Sequence, residues 1–342
     1  LDGLVGSEMC IRDRMKIAII GATGLVGRKI INLLEEYFSA DTSYTFFASS
    51  KSKGSELEIN GNKLIVQELI DNNISEFDIA LFSAGSERSK EFAKKFIDQG
   101  AYVIDNSSAF RHEHHVPLVV YGINEETISS NTKLIANPNC TTMGLVMVLK
   151  PLHDKFNLKS ITPVAYQAVS GSGTQAVDSL NREIEMGNNL NVNYTEGFYS
   201  RPIAKNVIPV AGNLLDNGYS DEEMKFVNES RKILSIDDLI VEPSNARVGV
   251  KTGHGTFCSA VFESEINRET AIDAINSFDG VEYWDNLLPT PLDAEGRKNV
   301  LVSRMREGIS SKKILNFWVV SDNLLKGAAL NAVQIAKYVS QL

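Results

Sequence analysis

The chain has 342 residues with a formal net charge of −9, and 43% of its residues are hydrophobic. This length allows about two domains with separate cores, and the negative balance argues against a nucleic-acid partner, because phosphate binding needs a concentrated basic surface. No apolar run approaches the ~20 residues that cross a bilayer, so we expect no membrane partner. The three cysteines (Cys10, Cys140 and Cys258) offer no disulfide framework and favour a reducing cytoplasm.

The chain opens with a segment that fits neither a helix nor a strand pattern. Residues 1–14 show no apolar periodicity, and they resemble translated adaptor read-through at a mispredicted gene start. A strand pattern begins directly at Met15. We therefore expect residues 1–14 to be a non-native leader, which N-terminal sequencing of the native protein would test.

The following part alternates short apolar strands with helical patterns. The predicted strands cover residues 16–20, 45–48, 79–83 and 102–105, and the predicted helices cover residues 25–34 and 89–99. Strands that alternate with helices indicate a parallel sheet with right-handed crossovers. We therefore predict an open, doubly wound domain over residues 15–137.

A glycine-rich turn joins the first predicted strand to the first predicted helix. Gly21, Gly24 and Gly27 follow the spacing Gly-x-x-Gly-x-x-Gly, which lets backbone N–H groups approach a pyrophosphate at a helix N-terminus. A tight turn without a ligand is the alternative.

Residues 49–53, after the second strand, offer serines and lysines instead of an acid, which suits a ribose 2′-phosphate and favours NADP. A solvated basic loop is the alternative there.

Two polar stretches follow the strand at residues 102–105. Arg111 lies just beyond the carboxyl end of that strand, where open α/β sheets bind ligands, and its guanidinium suits an anion. Residues 112–115 read His-Glu-His-His, but they are too crowded to share a helical face, and no distant Cys/His cluster completes a four-coordinate site. We predict an exposed polar loop and no metal site.

The stretch with the clearest chemistry is Asn-Pro-Asn-Cys-Thr-Thr at residues 137–142. Pro138 and Asn139 predict a turn that leads into a helix over residues 142–156. A thiol at a helix N-terminus lies near unpaired N–H groups and the positive end of the dipole, so we expect a lowered pKa for Cys140. An inert buried cysteine is the alternative.

The pattern after Cys140 changes to segments that alternate apolar and polar residues. Such segments cover residues 161–169, 246–251 and 257–262, as in a sheet with one covered face. They predict an α+β domain over residues 138–321. A helical period in the closing segment predicts that residues 322–342 pack back on the first domain. The predicted class is α/β, with a Rossmann-type domain followed by an α+β domain.

Two motifs in the second domain could serve a reactive thiol. His254 lies between Gly253 and Gly255, which leave the imidazole accessible as an acid–base partner for Cys140, and a turn histidine without function is the alternative. Glu222 and Lys225 are spaced i, i+3 on one helical face, and an ordinary surface pair is the alternative.

Together these stretches resemble the bacterial aspartate-β-semialdehyde dehydrogenases. The matches keep the family's order over residues 15–342, and they are residues 21–27, 106–111, 137–142, 166–171, 222–225, 247–254 and 322–329. The resemblance implies NADPH-dependent reductive dephosphorylation of L-aspartyl 4-phosphate to L-aspartate 4-semialdehyde and phosphate, towards lysine, threonine and methionine. It also implies a homodimer, or a dimer of dimers, formed through the second domain.

The resemblance further implies roles for the substrate-side residues. Cys140 forms a thioester, and His254 is its acid–base partner. Gln167 orients the substrate, while Arg247 and Glu222 hold its α-carboxylate and α-ammonium. The implied phosphate-binding residues are Arg111, Asn139 and Lys225.

A second implied set holds NADP. Its members are Thr23, Gly24, Leu25 and Val26 at the pyrophosphate, Lys51 and Ser52 at the 2′-phosphate, Ser170 and Gly171 near the nicotinamide, and Asn323 on the cofactor. Lys51 departs from the family, in which arginine is commoner, and an ammonium cannot stack on adenine as a guanidinium does. The departure weakens a strict preference for NADP.

Two alternative functions stay open at this stage. N-acetyl-γ-glutamyl-phosphate reductases share the thioester chemistry, but their cysteine usually follows His-Pro-Gly, whereas Cys140 follows Asn-Pro-Asn. A non-catalytic paralogue would keep the fold as a binding module. The joint presence of Cys140, His254, Arg247 and Arg111 argues against the paralogue.

Overall fold

The computed structural model describes residues 14–74, 76–191 and 193–342. The expectation of a leader before Met15 lies, except for Arg14, outside these residues. The helices are α1 (Leu25–Tyr37), α2 (Ser86–Asp98), α3 (Cys140–Phe156), α4 (Thr174–Met186), α5 (Asp221–Leu234), α6 (Arg268–Asn276), α7 (Pro291–Ala294) and α8 (Asn331–Val339). A π-helix (Leu325–Leu330) leads into α8.

The strands fall into two large sheets and one hairpin. They are β1 (Lys16–Ile20), β2 (Ser43–Ala48), β3 (Glu56–Ile59), β4 (Asn62–Ile65), β5 (Gln67–Glu68), β6 (Ile79–Phe82), β7 (Tyr102–Asp105), β8 (Leu134–Ala136), β9 (Leu158–Gln167), β10 (Val207–Ile208), β11 (Ile240–Val241), β12 (Ser244–Val248), β13 (His254–Phe262), β14 (Val281–Tyr283), β15 (Val300–Glu307) and β16 (Ile314–Ser321). The hairpin pairs β3 with β4.

The first large sheet is parallel, with the order β5-β2-β1-β6-β7-β8. The chain runs outward from β1 on one side and then resumes on the other side with β6. Such a switch point opens a crevice at the carboxyl ends of the strands. The predicted Rossmann-type domain is confirmed.

Helices cover both faces of this sheet because its central strands are apolar on both sides. Ile17 and Ile19 face the core that α1 and α8 complete, whereas Ala18 and Ile20 face the core that α2 completes. This is the alternation that a pleated strand imposes. The last helix packs back on the first domain, as the closing helical period predicts. The domain division at residue 137 stays a prediction.

The second large sheet is mixed, with the order β10-β12-β9-β13-β16-β15-β14 and with β11 beside β9. The helices α3, α5 and α6 cover one face. Cys258 and Ala260 of β13 point into that core, while their neighbours Phe257 and Ser259 on the other face are half-buried. The predicted α+β domain is confirmed, and the apolar face of β13 that the alternation predicts packs against the helices.

The face of this sheet opposite those helices carries a cluster of aromatic rings beside a small core of Ala294, Leu301 and Val320. The Phe257 and Trp318 ring centroids are 4.7 Å apart, and Tyr166 lies 6.2 Å from Trp318. The Arg304 guanidinium lies over Phe257. All three rings are half-buried in the single chain.

In the described part of the chain, no helix is both long and apolar enough to span a membrane.

Candidate active site

A cleft lies between the two domains, at the carboxyl ends of the parallel strands. It brings together many of the predicted site residues, which are Val26, Arg111, Asn139, Cys140, Ser170, Gly171, Glu222, Lys225 and Asn323. A second pocket holds Thr23 and Gly24 together with the end of β2, and Ser83 lines both spaces. The pocket of the glycine-rich turn and the cleft that holds the thiol therefore adjoin at Ser83.

Cys140 is the first residue of α3, which begins two residues earlier than the sequence predicts. Asn139 is the N-cap: its side-chain oxygen accepts hydrogen bonds from the backbone N–H groups of Thr141 at 3.0 Å and Thr142 at 3.4 Å. Such a cap satisfies N–H groups that the helix itself leaves open. The predicted position of the thiol at a helix N-terminus is confirmed.

The expected lowering of the Cys140 pKa is wrong for the chain without ligands. Burial, with a smaller contribution from the Glu222 carboxylate, raises the pKa of the thiol to about 11, although Arg111 and Arg247 act in the opposite direction. Desolvation penalises the charged thiolate, and the sequence pattern carries no measure of that penalty.

His254 is the first residue of β13 and is 3% exposed. The prediction that the flanking glycines leave the imidazole accessible is therefore wrong. Gly255 points to the other face of the strand, where an added Cβ would lie 2.1 Å from the Trp318 ring. The Nδ1 atom accepts a hydrogen bond from the Ala168 backbone N–H at 3.0 Å. The neutral imidazole therefore carries its proton on Nε2, which is buried and has no hydrogen-bond partner among the described residues.

The His254 ring lies directly behind a cleft-lining glycine. A Cβ added to Gly171 would lie 3.2 Å from His254 Nε2 and 3.3 Å from Arg247 Nη1. Burial and the positive charge of Arg247 lower the pKa of His254 to about 3, although Glu222 opposes this shift. Arg247 and Glu222 also act on the pKa of Cys140, so the imidazole and the thiol sense the same two charges.

Arg247 and Glu222 form the charged part of the site opposite the thiol. Arg247 Nη1 donates to the Ala168 carbonyl at 2.9 Å, and its buried Nε has no partner among the described residues. Glu222 accepts from Asn139 Nδ2 at 3.0 Å and from Gln167 Nε2 at 3.5 Å, and it pairs with Lys225. Burial alone would raise the pKa of Glu222, but Lys225, Asn139 and Arg247 together lower it.

Arg111 reaches the cleft from the loop after β7. Its Nη2 donates to the Asn106 carbonyl at 2.8 Å, and its Nη1 pairs with Glu229 at 3.0 Å. Glu229 lies on α5, seven residues after Glu222, and sequence reasoning missed it. The i, i+7 spacing on one helical face was the available signal.

The glycine-rich turn has the geometry of a dinucleotide cradle. Gly21 has a φ of +86°, and an added Cβ there would lie 2.2 Å from the Ser83 carbonyl oxygen. A Cβ at Gly27 would lie 2.2 Å from the Gly21 carbonyl oxygen. The turn thus keeps backbone N–H groups open at the N-terminus of α1, which fits a pyrophosphate.

The other predicted cofactor residues differ in the contacts that they make. Ser52 accepts a hydrogen bond from Thr23 Oγ1 at 3.4 Å, whereas Lys51 is exposed and lines neither pocket. Asn323 donates to Ser170 Oγ at 3.0 Å and accepts from the Gly253 N–H at 2.8 Å. Leu25 turns away and packs against the apolar cluster around Val169 in the second domain.

The C-terminal segment packs directly on Cys140. Gly327 lies in the π-helix, and an added Cβ would be 2.7 Å from Cys140 Cβ and 3.1 Å from its Cα. Only a glycine therefore lets this segment approach the first turn of α3. Sequence reasoning missed this contact, because a 3.6-residue period does not reveal a π-helix.

The histidine-rich loop after Arg111 is exposed at residues 112–115. Over residues 14–74, 76–191 and 193–342, no group of three or more His, Cys, Asp or Glu side chains is arranged to hold a metal ion.

Two family models match the chain, one to each domain. The model described as semialdehyde dehydrogenase, NAD binding domain, matches residues 16–131, and the one described as semialdehyde dehydrogenase, dimerisation domain, matches residues 149–326. The first domain is therefore a nicotinamide-dinucleotide-binding domain.

Similar proteins agree over nearly the whole chain. Aspartate-semialdehyde dehydrogenase of Corynebacterium glutamicum is 43% identical over 340 residues, which cover 94% of this chain and 98% of that protein. The crystal structure of aspartate semialdehyde dehydrogenase II from Vibrio cholerae has a TM-score of 0.92 and 38% identity, with 96% and 99% of the two chains covered. A further structure of that protein is complexed with ASA, with a TM-score of 0.92, 37% identity and coverage of 96% and 98%. The chain belongs to the aspartate-semialdehyde dehydrogenase family and is a dehydrogenase of that class.

Proposed function

We propose that the chain catalyses the NADPH-dependent reductive dephosphorylation of L-aspartyl 4-phosphate to L-aspartate 4-semialdehyde and phosphate, in the biosynthesis of lysine (through diaminopimelate), threonine and methionine. The observation that carries this proposal is the position of Cys140, at the N-terminus of α3 in a cleft that adjoins the pocket of the dinucleotide turn. Arg111 and Lys225 line this cleft as cationic groups, and Arg247 lies directly behind its wall at Gly171.

Cys140 is the proposed nucleophile. Its sulfur attacks the acyl carbon of the acyl phosphate, the C–S bond forms, the C–O bond to phosphate breaks, and phosphate leaves with that electron pair. The thioester suits reduction because sulfur donates little resonance to its carbonyl. NADPH, when bound, supplies the hydride. The resulting hemithioacetal collapses to the aldehyde and releases the thiolate.

His254 is the proposed hydrogen-bond donor to the reacting carbonyl oxygen. The Ala168 N–H occupies Nδ1, so the proton lies on Nε2 at the cleft wall beside Gly171. A neutral imidazole donor in a dry site stabilises negative charge that develops on the carbonyl oxygen. In this assignment, His254 acts as the acid in the acid–base role that the resemblance implies.

The charged groups of the substrate are assigned to residues of opposite charge. Arg247 offers N–H groups to the α-carboxylate, Glu222 accepts from the α-ammonium, and Gln167 orients the substrate beside them. Arg111, Lys225 and Asn139 hold the departing phosphate. The support is that Arg111, Asn139, Glu222 and Lys225 line the same cleft as Cys140. Gln167 contacts Glu222, and Arg247 lies behind the cleft wall at Gly171.

The residues of the glycine-rich turn would hold the NADP pyrophosphate, at Thr23, Gly24, Leu25 and Val26. Ser52, close to Thr23, and the neighbouring Lys51 are assigned to the 2′-phosphate. Ser170 and Gly171 would lie at the nicotinamide, with Asn323 beside them. Leu25 would contribute its backbone N–H at the start of α1, whereas the exposed Lys51 side chain would have to turn towards the pocket when the cofactor binds.

The proposed assembly is a homodimer, or a dimer of dimers, through the face of the second sheet that lies opposite α3, α5 and α6. Phe257, Trp318 and Tyr166 make this face aromatic, and the second domain matches a dimerisation domain. Aromatic residues are enriched in the cores of such interfaces.

We further propose a cytoplasmic location, because a free reactive thiol suits a reducing compartment.

Phosphate-dependent oxidation of L-aspartate 4-semialdehyde, followed by NADPH absorbance, tests the reaction. We expect turnover with NADP that requires phosphate, weaker turnover with NAD, and little turnover of N-acetyl-L-glutamate 5-semialdehyde. Cys140→Ala should abolish turnover while NADPH binding stays within about twofold of wild type. Faster turnover of the acetylated substrate, or substantial activity in Cys140→Ala, would refute the proposal.

A further inference from the structure

A buried carboxylate, Glu229, joins two parts of the site that are distant in sequence. Its Oε1 accepts a hydrogen bond from Arg111 Nη1 at 3.0 Å, and its Oε2 accepts one from the Asn139 backbone N–H at 2.6 Å. Glu229 is 1% exposed and does not line the cleft. It can therefore influence a ligand only through the two groups that it holds.

Glu229 belongs to one face of α5 that organises the whole anionic end of the site. Glu222, Lys225, Glu229 and Lys232 follow at positions i, i+3, i+7 and i+10, which place them along one side of the helix. Lys232 Nζ donates to the backbone carbonyl of Arg111 at 3.0 Å. The helix thus holds Arg111 at its guanidinium and at its backbone.

The second contact of Glu229 fixes the start of α3. Asn139 is the N-cap of that helix and directly precedes Cys140. Because the two oxygens of one carboxylate hold Arg111 and Asn139, Glu229 sets the distance between the guanidinium and the helix N-terminus that carries the thiol. The negative charge also compensates the burial of the Arg111 guanidinium.

We propose that Glu229 is a positioning residue for phosphate at the thiol, an inference that rests on the proposed function of Arg111 and Cys140. In the phosphorylating direction, a phosphate oxygen attacks the thioester carbon, the C–O bond forms, and the C–S bond breaks with its electron pair on sulfur. In that step, the phosphate oxygen and the sulfur must both lie at bonding distance from the same carbon. A displaced Arg111 would therefore first weaken the binding and positioning of phosphate.

Protection of Cys140 by inorganic phosphate against iodoacetamide tests this role without requiring turnover. Alkylation is read on the Cys140 peptide by mass spectrometry. Glu229→Gln keeps the size of the side chain, but its NH₂ group cannot accept from one of the two donors. We expect the phosphate concentration for half-protection, and the KM for phosphate in the oxidation assay, to rise about tenfold or more, with NADP affinity within twofold of wild type. The control is Glu265→Gln, the same change at an exposed carboxylate between β13 and α6.

A purely structural role would lower the thermal stability and the yield of active protein without moving the phosphate requirement. Half-protection within twofold of wild type in a folded Glu229→Gln protein would overturn the proposal. If that variant does not fold, Glu229→Asp is held to the same criterion, because its shorter carboxylate cannot reach both donors. Absence of phosphate dependence in the wild-type protein would instead refute the proposed function, and the inference with it.

Discussion

The backbone N–H of Ala168 donates a hydrogen bond to Nδ1 of His254 over 3.0 Å, and this contact decides which ring nitrogen carries the proton. An imidazolium would direct an N–H at that backbone N–H, so protonation is disfavoured at Nδ1 in addition to the cost of burial and the repulsion from Arg247. The neutral form with its proton on Nε2 is therefore the favoured form of His254 in this fold.

We predict that His254 makes the folded protein less stable in acid. Its folded pKa of about 3 is below the ordinary value of about 6.5, so the unfolded chain binds the proton first. The free energy of unfolding should fall as the pH decreases between those two values. Urea unfolding at pH 7 and at about pH 4.5 should show wild type losing stability relative to His254→Asn. An equal difference between the two proteins at both pH values would contradict the assignment.

Cys140 should alkylate slowly at neutral pH when no substrate is present. Burial raises the pKa of the thiol to about 11, so the iodoacetamide rate should climb about tenfold per pH unit from pH 7 to pH 10. Arg111→Met should slow the reaction at fixed pH, because it removes a cation that favours the thiolate. The matched control is Arg182→Met at an exposed site on α4. A plateau in rate below pH 8 would mean that the thiol is already activated in the free protein.

Arg247→Lys should lower kcat/KM for L-aspartate 4-semialdehyde by about 100-fold, which corresponds to about 2–3 kcal/mol of transition-state stabilisation. Arg247 uses one N–H on the Ala168 carbonyl and keeps others for the substrate, whereas an ammonium lacks the planar fork that binds a carboxylate with two hydrogen bonds. Arg182→Lys, at the exposed α4 site, should stay within twofold of wild type. Unchanged kinetics in Arg247→Lys would contradict the proposed carboxylate contact.

Phe257→Asp should dissociate the assembly into monomers at micromolar concentration. The residue lies beside Trp318 on the face of the second sheet opposite its helices. A carboxylate there would have to lose its water against a second copy, and it would replace an aromatic ring of the interface. Sedimentation velocity gives the readout. Ile65→Asp makes a comparable change at an exposed position of the β3–β4 hairpin, and it should leave the assembly intact. A Phe257→Asp protein that sediments like wild type would exclude this face as the interface.

The features that local chemistry determines could be predicted from the sequence. The bounds of β1 follow from its apolar run before Gly21, and the position of Cys140 at a helix start follows from the Pro138 and Asn139 turn. The apolar face of β13 that packs against the helices follows from the alternation along that strand. These signals lie within a few residues of the feature that they predict.

The features that tertiary packing creates could not be predicted in this way. Glu229 lies 118 residues from Arg111 in sequence, and an i+7 glutamate is indistinguishable from a surface charge until the helix is docked. The burial of His254 reflects its contacts with Ala168 and Gly171, which lie far from it in the sequence. The raised pKa of Cys140 reflects desolvation by the assembled domains, whereas its position reflects only the local turn.

The approach of Gly327 to Cys140 has a consequence for how the protein is made. The same closing segment fills the core of the first domain through Val333 and Ala336, so that domain stays incomplete until these residues have left the ribosome. The surroundings of the Cys140 sulfur are likewise completed only when Gly327 has been made. A chain truncated before residue 327 would lack both α8 and the segment that packs on Cys140.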